Sequence, residues 1–179
     1  RGPPMTAPLQ YCVTDLRDTL ADIALFQTRT LSANATEAKS HIRLYDWEGR
    51  PDNLADDKTF AAIMLIDCPF TVAAFGDHNE LLATQGTLDV QIVLEDTLSG
   101  DTGEEVKVDA DAAYLDFLAF LEAIIDGLRN NAANDTHLPI TDIRFKVPPI
   151  HSPRMDDPTT GPYWHAILAI TWGLRGGGA

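Results

Sequence analysis

The second half of the chain switches between strand and helix periodicity. Residues 86–97 and 143–147 place apolar side chains at every second position, and residues 163–174 form a nearly continuous apolar run. Residues 109–129 repeat apolar positions with helical spacing instead. This helical stripe consists of Tyr114, Phe117, Leu118, Leu121, Ile124, Ile125 and Leu128. The order strand, helix, strand, strand predicts a sheet with a helix laid across it.

The alternation in residues 86–97 also assigns two strand faces. The apolar face holds Leu88, Val90, Ile92 and Leu94, and the polar face holds Asp89, Gln91 and Glu95. In the last strand, Trp164 and Trp172 are eight residues apart and share a face with Leu168 and Ile170. We therefore interpret both tryptophans as core residues rather than as a platform for a ligand.

The first half begins with a predicted helix over residues 7–28, with Thr6 as its N-cap and Pro8 in its first turn. One apolar stripe runs along this helix and requires a partner surface, either the sheet of its own subunit or a neighbour. It consists of Leu9, Val13, Leu16, Leu20 and Ile23. Residues 32–39 are polar and at best weakly helical, and residues 41–45 predict a short strand.

Turn-forming residues separate the remaining strands. Residues 46–58 predict a surface loop, residues 60–66 and 70–75 predict two strand pieces broken at Pro69, and residues 148–162 predict a stiff extended loop. The fold class is therefore α+β, a mostly antiparallel sheet with an amphipathic helix on one face and an N-terminal helix. We expect a single domain over residues 5–175, a flexible tail at 176–179, and an expression remnant at residues 1–4, which precede Met5.

Charge narrows the classes of function. The chain has 27 acidic residues against 13 Lys and Arg, a formal net charge of −14. Such a surface repels phosphate backbones, so we expect no specific nucleic-acid binding, although it suits a protein that lets DNA pass without adhering. No apolar run approaches the about 18 residues of a membrane helix and no signal-peptide pattern opens the chain, so we expect a protein without membrane contact.

Residues that carry chemistry are scattered. The five histidines, His41, His78, His137, His151 and His165, form no metal-binding spacing, and no nucleophile or phosphate-binding motif is present. We therefore predict no catalytic residue, no metal and no cofactor. Cys12 and Cys68 are either two buried thiols or one disulfide, and the sequence leaves both open.

Two aromatic positions remain open to a functional interpretation. His165 lies next to Trp164 inside an otherwise apolar strand, and an enzyme or ligand-binding site near these two residues is the alternative to a purely structural chain. Trp47 lies among polar neighbours in the loop 46–58. Its ring is either packed on its own domain or buried in a partner.

The order of elements resembles the tail-terminator or tail-completion proteins of long-tailed bacteriophages. Residues 9–23 resemble the leading helix of that family, residues 60–74 its early apolar strand, and TLDVQIVLED its strand before the helix. AAYLDFLAFLEAIIDGLR resembles the helix across the sheet, and residues 163–174 the last strand.

This resemblance implies a non-enzymatic virion protein that forms a ring, typically of six copies, which caps the tail tube and joins it to the head. Its partners would be further copies of itself and the tail-tube and head-connector proteins. Another neck component or minor tail protein has the same layout and stays open. Because Arg43, Trp47 and Arg50 lie in or beside an acidic loop, we expect them at a subunit interface, where ring closure needs two different surfaces.

Overall fold

The computed structural model describes residues 8–44, 59–75, 78–83, 85–95, 110–132, 139–152 and 163–173. Four helices are present in these ranges: α1 (Pro8–Asp22), α2 (Ala24–Arg29), α3 (Ala35–Ala38) and α4 (Ala110–Ala132), with a short 3-10 turn at Lys39–His41. Seven strands accompany them. They are β1 (Ile42–Arg43), β2 (Phe60–Asp67), β3 (Phe70–Phe75), β4 (His78–Ala83), β5 (Gln85–Glu95), β6 (Ile140–Ser152) and β7 (Tyr163–Gly173).

Five of the strands form one mixed sheet in the order β1-β2-β5-β7-β6. β1 is parallel to β2, and every other neighbouring pair is antiparallel. β3 and β4 pair antiparallel as a separate two-stranded sheet. The predicted α+β class, with a mostly antiparallel sheet, a helix on one face and an N-terminal helix, is confirmed.

The main core lies between one face of the sheet and the helices. The antiparallel register sets Leu168 opposite Val90 and Ile170 opposite Leu88, so the apolar faces of β5 and β7 coincide. Against them pack Leu16 and Leu20 of α1 and the buried stripe of α4. In α4 this stripe is Phe117, Phe120, Leu121, Ile124 and Leu128, all at 1% exposure or less. The predicted stripe is confirmed at four of these positions, whereas Phe120 was missed and Tyr114 is 39% exposed.

The predicted N-terminal helix is broken where the sequence indicated continuity. Ile23 adopts an extended conformation (φ −71°, ψ 117°) between α1 and α2. Its side chain occupies the space above Gly127 of α4, where a β-carbon would lie 2.6 Å from Ile23 Cδ1. The apolar stripe therefore bends to follow α4, and the Phe26 ring stacks on Phe120 at 6.3 Å.

Two further expectations were wrong around the strands. Residues 148–152 belong to β6 rather than to a loop, because an edge strand with register shifts accommodates Pro148 and Pro149 without ladder donors. β4 has no counterpart among the predicted elements, because the polar residues His78, Asn79 and Glu80 at its start are typical of a turn. The α-helices of the described ranges include none long and apolar enough to cross a membrane.

Candidate functional site

Of the three predicted interface residues, only Arg43 lies within the described residues. It ends β1, half-buried, with its guanidinium carbon 4.8 Å from the centre of the Phe60 ring. This cation–π contact stabilises the side chain against its own sheet. Trp47 and Arg50 lie outside the described residues, so their predicted role stays a prediction.

The second face of the sheet contains a buried ion pair. Asp89 points away from the helix face of β5, and only 1% of its side chain is exposed. Its carboxylate accepts a hydrogen bond from Nζ of Lys146, whose side chain is half exposed. The ammonium group reaches Asp89 across β7, where the small Ala169 stands opposite Asp89. The alternation had placed Asp89 on the polar face of the strand; the structure keeps it on that face but buries it.

Two polar atoms on this second face are buried without a hydrogen-bond partner. They are Oε1 of Gln91 and Nδ1 of His165. The two residues are diagonal neighbours, because Gln91 stands opposite Ile167 and Val93 stands opposite His165. Burial lowers the pKa of His165, so its imidazole is held neutral at pH 7. A small apolar cluster of Phe60, Ala62 and Val93, with Tyr163 against it, lies on the same face.

Trp164 lies on the opposite face of β7 from His165. Its ring is 5.4 Å from Tyr114 and 5.9 Å from Phe117 of α4, and 4.8 Å from His151 of β6, measured between ring centres. Trp164 therefore belongs to the border of the main core, as expected for a core tryptophan. Because the sheet separates it from His165, a pocket on one sheet face cannot use both residues.

Both thiols are free, which answers the pairing question left open by the sequence. Burial, followed by the neighbouring Cys68 and Asp15, raises the pKa of the Cys12 thiol to about 12. Burial and Asp67 raise the pKa of the Cys68 thiol as well. Both groups are held as thiols rather than thiolates, which disfavours nucleophilic chemistry at either. Within the described ranges, no three His, Cys, Asp or Glu side chains group as metal ligands.

Exposed large apolar side chains are spread over α1, the turn after α2, β2, α4 and β6. Phe145 and Ile150 on β6 are 46% and 42% exposed, and β6 has a neighbour on one side only among the described strands. Leu31, after α2, is 92% exposed, and Leu115 on α4 is 63% exposed. The sequence predicted part of β6, because apolar and charged residues alternate over residues 143–147. The exposure of Leu31 and Leu115 has no comparable signal in the sequence.

Compared with known proteins, the chain matches no family model and no curated protein.

Proposed function

We propose that this chain is a structural subunit of a phage tail or neck, which associates into a ring that closes the tail tube and joins it to the head. The proposal begins from the order of elements and the α+β scaffold that the sequence pattern shares with tail-terminator proteins. The alternative within the same class of structural proteins is another neck component or minor tail protein with the same order of elements.

The observation that carries the proposal is where the exposed apolar side chains lie. Phe145 and Ile150 lie on β6, a strand of 13 residues at the edge of the described sheet, and Leu31 and Leu115 are exposed after α2 and on α4. Contact with another chain at these positions would remove apolar surface from water and would pair backbone groups of the strand edge, which supports an assembly role. Pro148 and Pro149 remove backbone donors from the second half of β6, so contact there is made by side chains.

The net charge of the chain also supports the proposal, because the ring must let DNA pass. A net charge of −14 gives the chain an acidic surface, and a ring with acidic walls lets double-stranded DNA pass without adhering. The same charge makes the copies repel one another, so we expect assembly to strengthen as salt screens the surface.

The chemistry of the described residues favours a scaffold over an enzyme. The thiols are held protonated, His165 is neutral, and Asp89 is paired with Lys146. The alternative of a ligand site near His165 and Trp164 is weakened because the two side chains are on opposite sides of the sheet.

Native mass spectrometry and negative-stain electron microscopy test the proposal directly. We expect closed rings with a central channel above a threshold protein concentration, with a lower threshold at 0.5 M salt than at about 0.05 M, where the Debye length is longer. We also expect no retention of linear duplex DNA in a gel-shift assay at either salt. A chain that stays monomeric or dimeric under every condition contradicts the proposal.

The expected interface residues give a second test. Trp47→Ala combined with Arg50→Glu should raise the threshold concentration for ring formation. Because Arg43 stacks on Phe60, Arg43→Ala should lower thermal stability as well as assembly, which distinguishes it from the other two positions. An unchanged oligomer mass in the double variant would remove this loop from the interface.

A further inference from the structure

The middle of β6 is exposed on both faces of the sheet. Residues 142–145 pair with β7 without a register shift, so their side chains alternate regularly between the two faces. The register places Ile143 and Phe145 on the helix face, and Asp142 and Arg144 on the other face. The side chains of Asp142 and Arg144 are 56% and 72% exposed. Phe145 is 46% exposed, so the middle of the strand has uncovered side chains above and below the sheet.

The backbone of the same stretch is able to pair with a further strand. β7 lies on one side of β6, and no other strand of the described ranges lies on its second side. Pro139 precedes the stretch and Pro148 follows it, so an unbroken run of residues with amide hydrogens extends from 140 to 147. An edge of this kind is a template for another strand, and the two prolines set the limits of the pairing.

The order of charges along β6 fits an antiparallel second copy of the same strand in one register. A two-fold axis through Ile143 keeps the helix faces of both copies on one side and sets Asp142 of each copy opposite Arg144 of the other. Within one chain these two side chains are 3.9 Å apart, which is longer than a hydrogen bond, and both remain exposed to a partner. An axis through Asp142 or Arg144 sets like charges opposite each other, and an axis through Phe145 sets Arg144 opposite Lys146. Of these registers, the one centred on Ile143 places opposite charges together and no like charges.

We propose that two copies of this chain associate through β6, antiparallel and centred on Ile143, so that their sheets become continuous. Phe145 of each copy then stands opposite Thr141 of the other, an aromatic and β-branched pair of the kind that stabilises neighbouring strands. On the other face, the two aspartates and two arginines alternate in sign. The contact is additional to those that close a ring, because a two-fold contact uses the same surface on both copies and is complete after two. It therefore goes beyond the proposed ring and does not rest on it.

Sedimentation velocity over a range of protein concentrations tests the contact through its charges. Arg144→Asp and Asp142→Arg each set like charges opposite each other twice, so each variant should raise the dimer dissociation constant by about tenfold or more. An equimolar mixture of the two variants restores opposite charges across the strands, but only between unlike copies. The mixture should therefore associate about tenfold more tightly than either variant alone, which an effect within one chain cannot produce. The matched control is Arg129→Asp, a charge reversal at an arginine 73% exposed on α4, which should change the dissociation constant by less than about threefold.

Amide hydrogen exchange tests whether the backbones pair. Exchange in residues 142–145 should slow as the wild-type concentration rises through the dimer range, and should not slow in Arg144→Asp over the same range. If both charge variants dimerise like the wild type, or if their mixture associates no more tightly than either alone, the β6 contact is refuted. Rings that form without any change in the exchange of these amides support the proposed ring and refute this contact. A dimer with protected β6 amides and no larger species supports this contact and contradicts the proposed ring.

Discussion

The buried ion pair between Asp89 and Lys146 gives the sharpest test of how the second face of the sheet is stabilised. Only 1% of the Asp89 side chain is exposed, whereas half of the Lys146 side chain is exposed. Lys146→Met keeps most of the aliphatic stem and removes the charge, which leaves the carboxylate buried without its cation. Breaking a buried pair from one side costs about 3 kcal/mol or more.

The matched control is an ion pair on the surface. Arg129 contacts Asp126 at 2.9 Å on α4, with side chains 73% and 49% exposed. Because both groups remain hydrated when the pair is broken, Arg129→Met should cost less than about 1 kcal/mol. For a chain of this length, 1 kcal/mol corresponds to roughly 2–4 °C in melting temperature, so Lys146→Met should lower the melting temperature by roughly 6–12 °C.

Urea unfolding and thermal melts of both variants, at a dilution where the wild type is a single copy, measure the difference. The double variant Asp89→Leu with Lys146→Met removes both charges and should return to within about 1 kcal/mol of the wild type. If Lys146→Met costs no more than Arg129→Met, the pair contributes like an exposed one. The argument from burial is then wrong.

Three further predictions concern glycine packing, a thiol and a histidine. A β-carbon on Gly86 would lie 2.7 Å from the Asp67 carbonyl oxygen, so Gly86→Ala should cost about 1–3 kcal/mol in urea unfolding. At Gly127 the same carbon would meet side-chain atoms of Ile23, Cδ1 and Cγ1 at 2.6 Å, rather than backbone, and Gly127→Ala, which gains helix propensity, should cost less than Gly86→Ala. Because the pKa of Cys12 is raised, the thiol's contribution to stability is fully present below the unfolded thiol pKa near 9 and falls as the pH rises toward about 12. The melting temperature of Cys12→Ala should therefore depend less on pH in this range than that of the wild type. His165 has a lowered pKa, so the contribution of its neutral imidazole to stability is present above a pH of about 6.5 and falls as the pH is lowered. If the melting temperature of His165→Phe falls as steeply as that of the wild type between pH 7 and 5, this reasoning is wrong.

Periodicity alone located most of the regular elements. The alternation of residues 86–97 and the apolar runs at 60–66, 70–75 and 163–174 predicted β5, β2, β3 and β7 within two residues at each end. The helical stripe over residues 109–129 predicted α4 to within one residue at its start and three at its end. These elements are determined locally, because a period of two or of 3.6 residues buries one face only in a strand or in a helix, respectively.

The interface candidates and the site residues were harder to place from the sequence. Arg43 was expected at a subunit contact, and the structure places its guanidinium over Phe60 of the neighbouring strand. Asp89 was assigned to the polar face of its strand, and the structure buries it there in an ion pair with Lys146, a residue distant in sequence. Sequence spacing does not give the order of strands in the sheet. It therefore cannot predict a side-chain pair between β5 and β6, which are separated by β7.

The sequence by itself determined the fold class, the main elements and the acidic character of this protein, because these depend on composition and on repeats between near neighbours. The tertiary structure decided where a long helix breaks, since Ile23 leaves the helical conformation to fit against Gly127. It also paired the buried carboxylate of Asp89 with Lys146, a residue 57 positions away in the sequence. Each of these outcomes depends on packing between elements distant in sequence, a contribution to the free energy of folding that no local pattern contains.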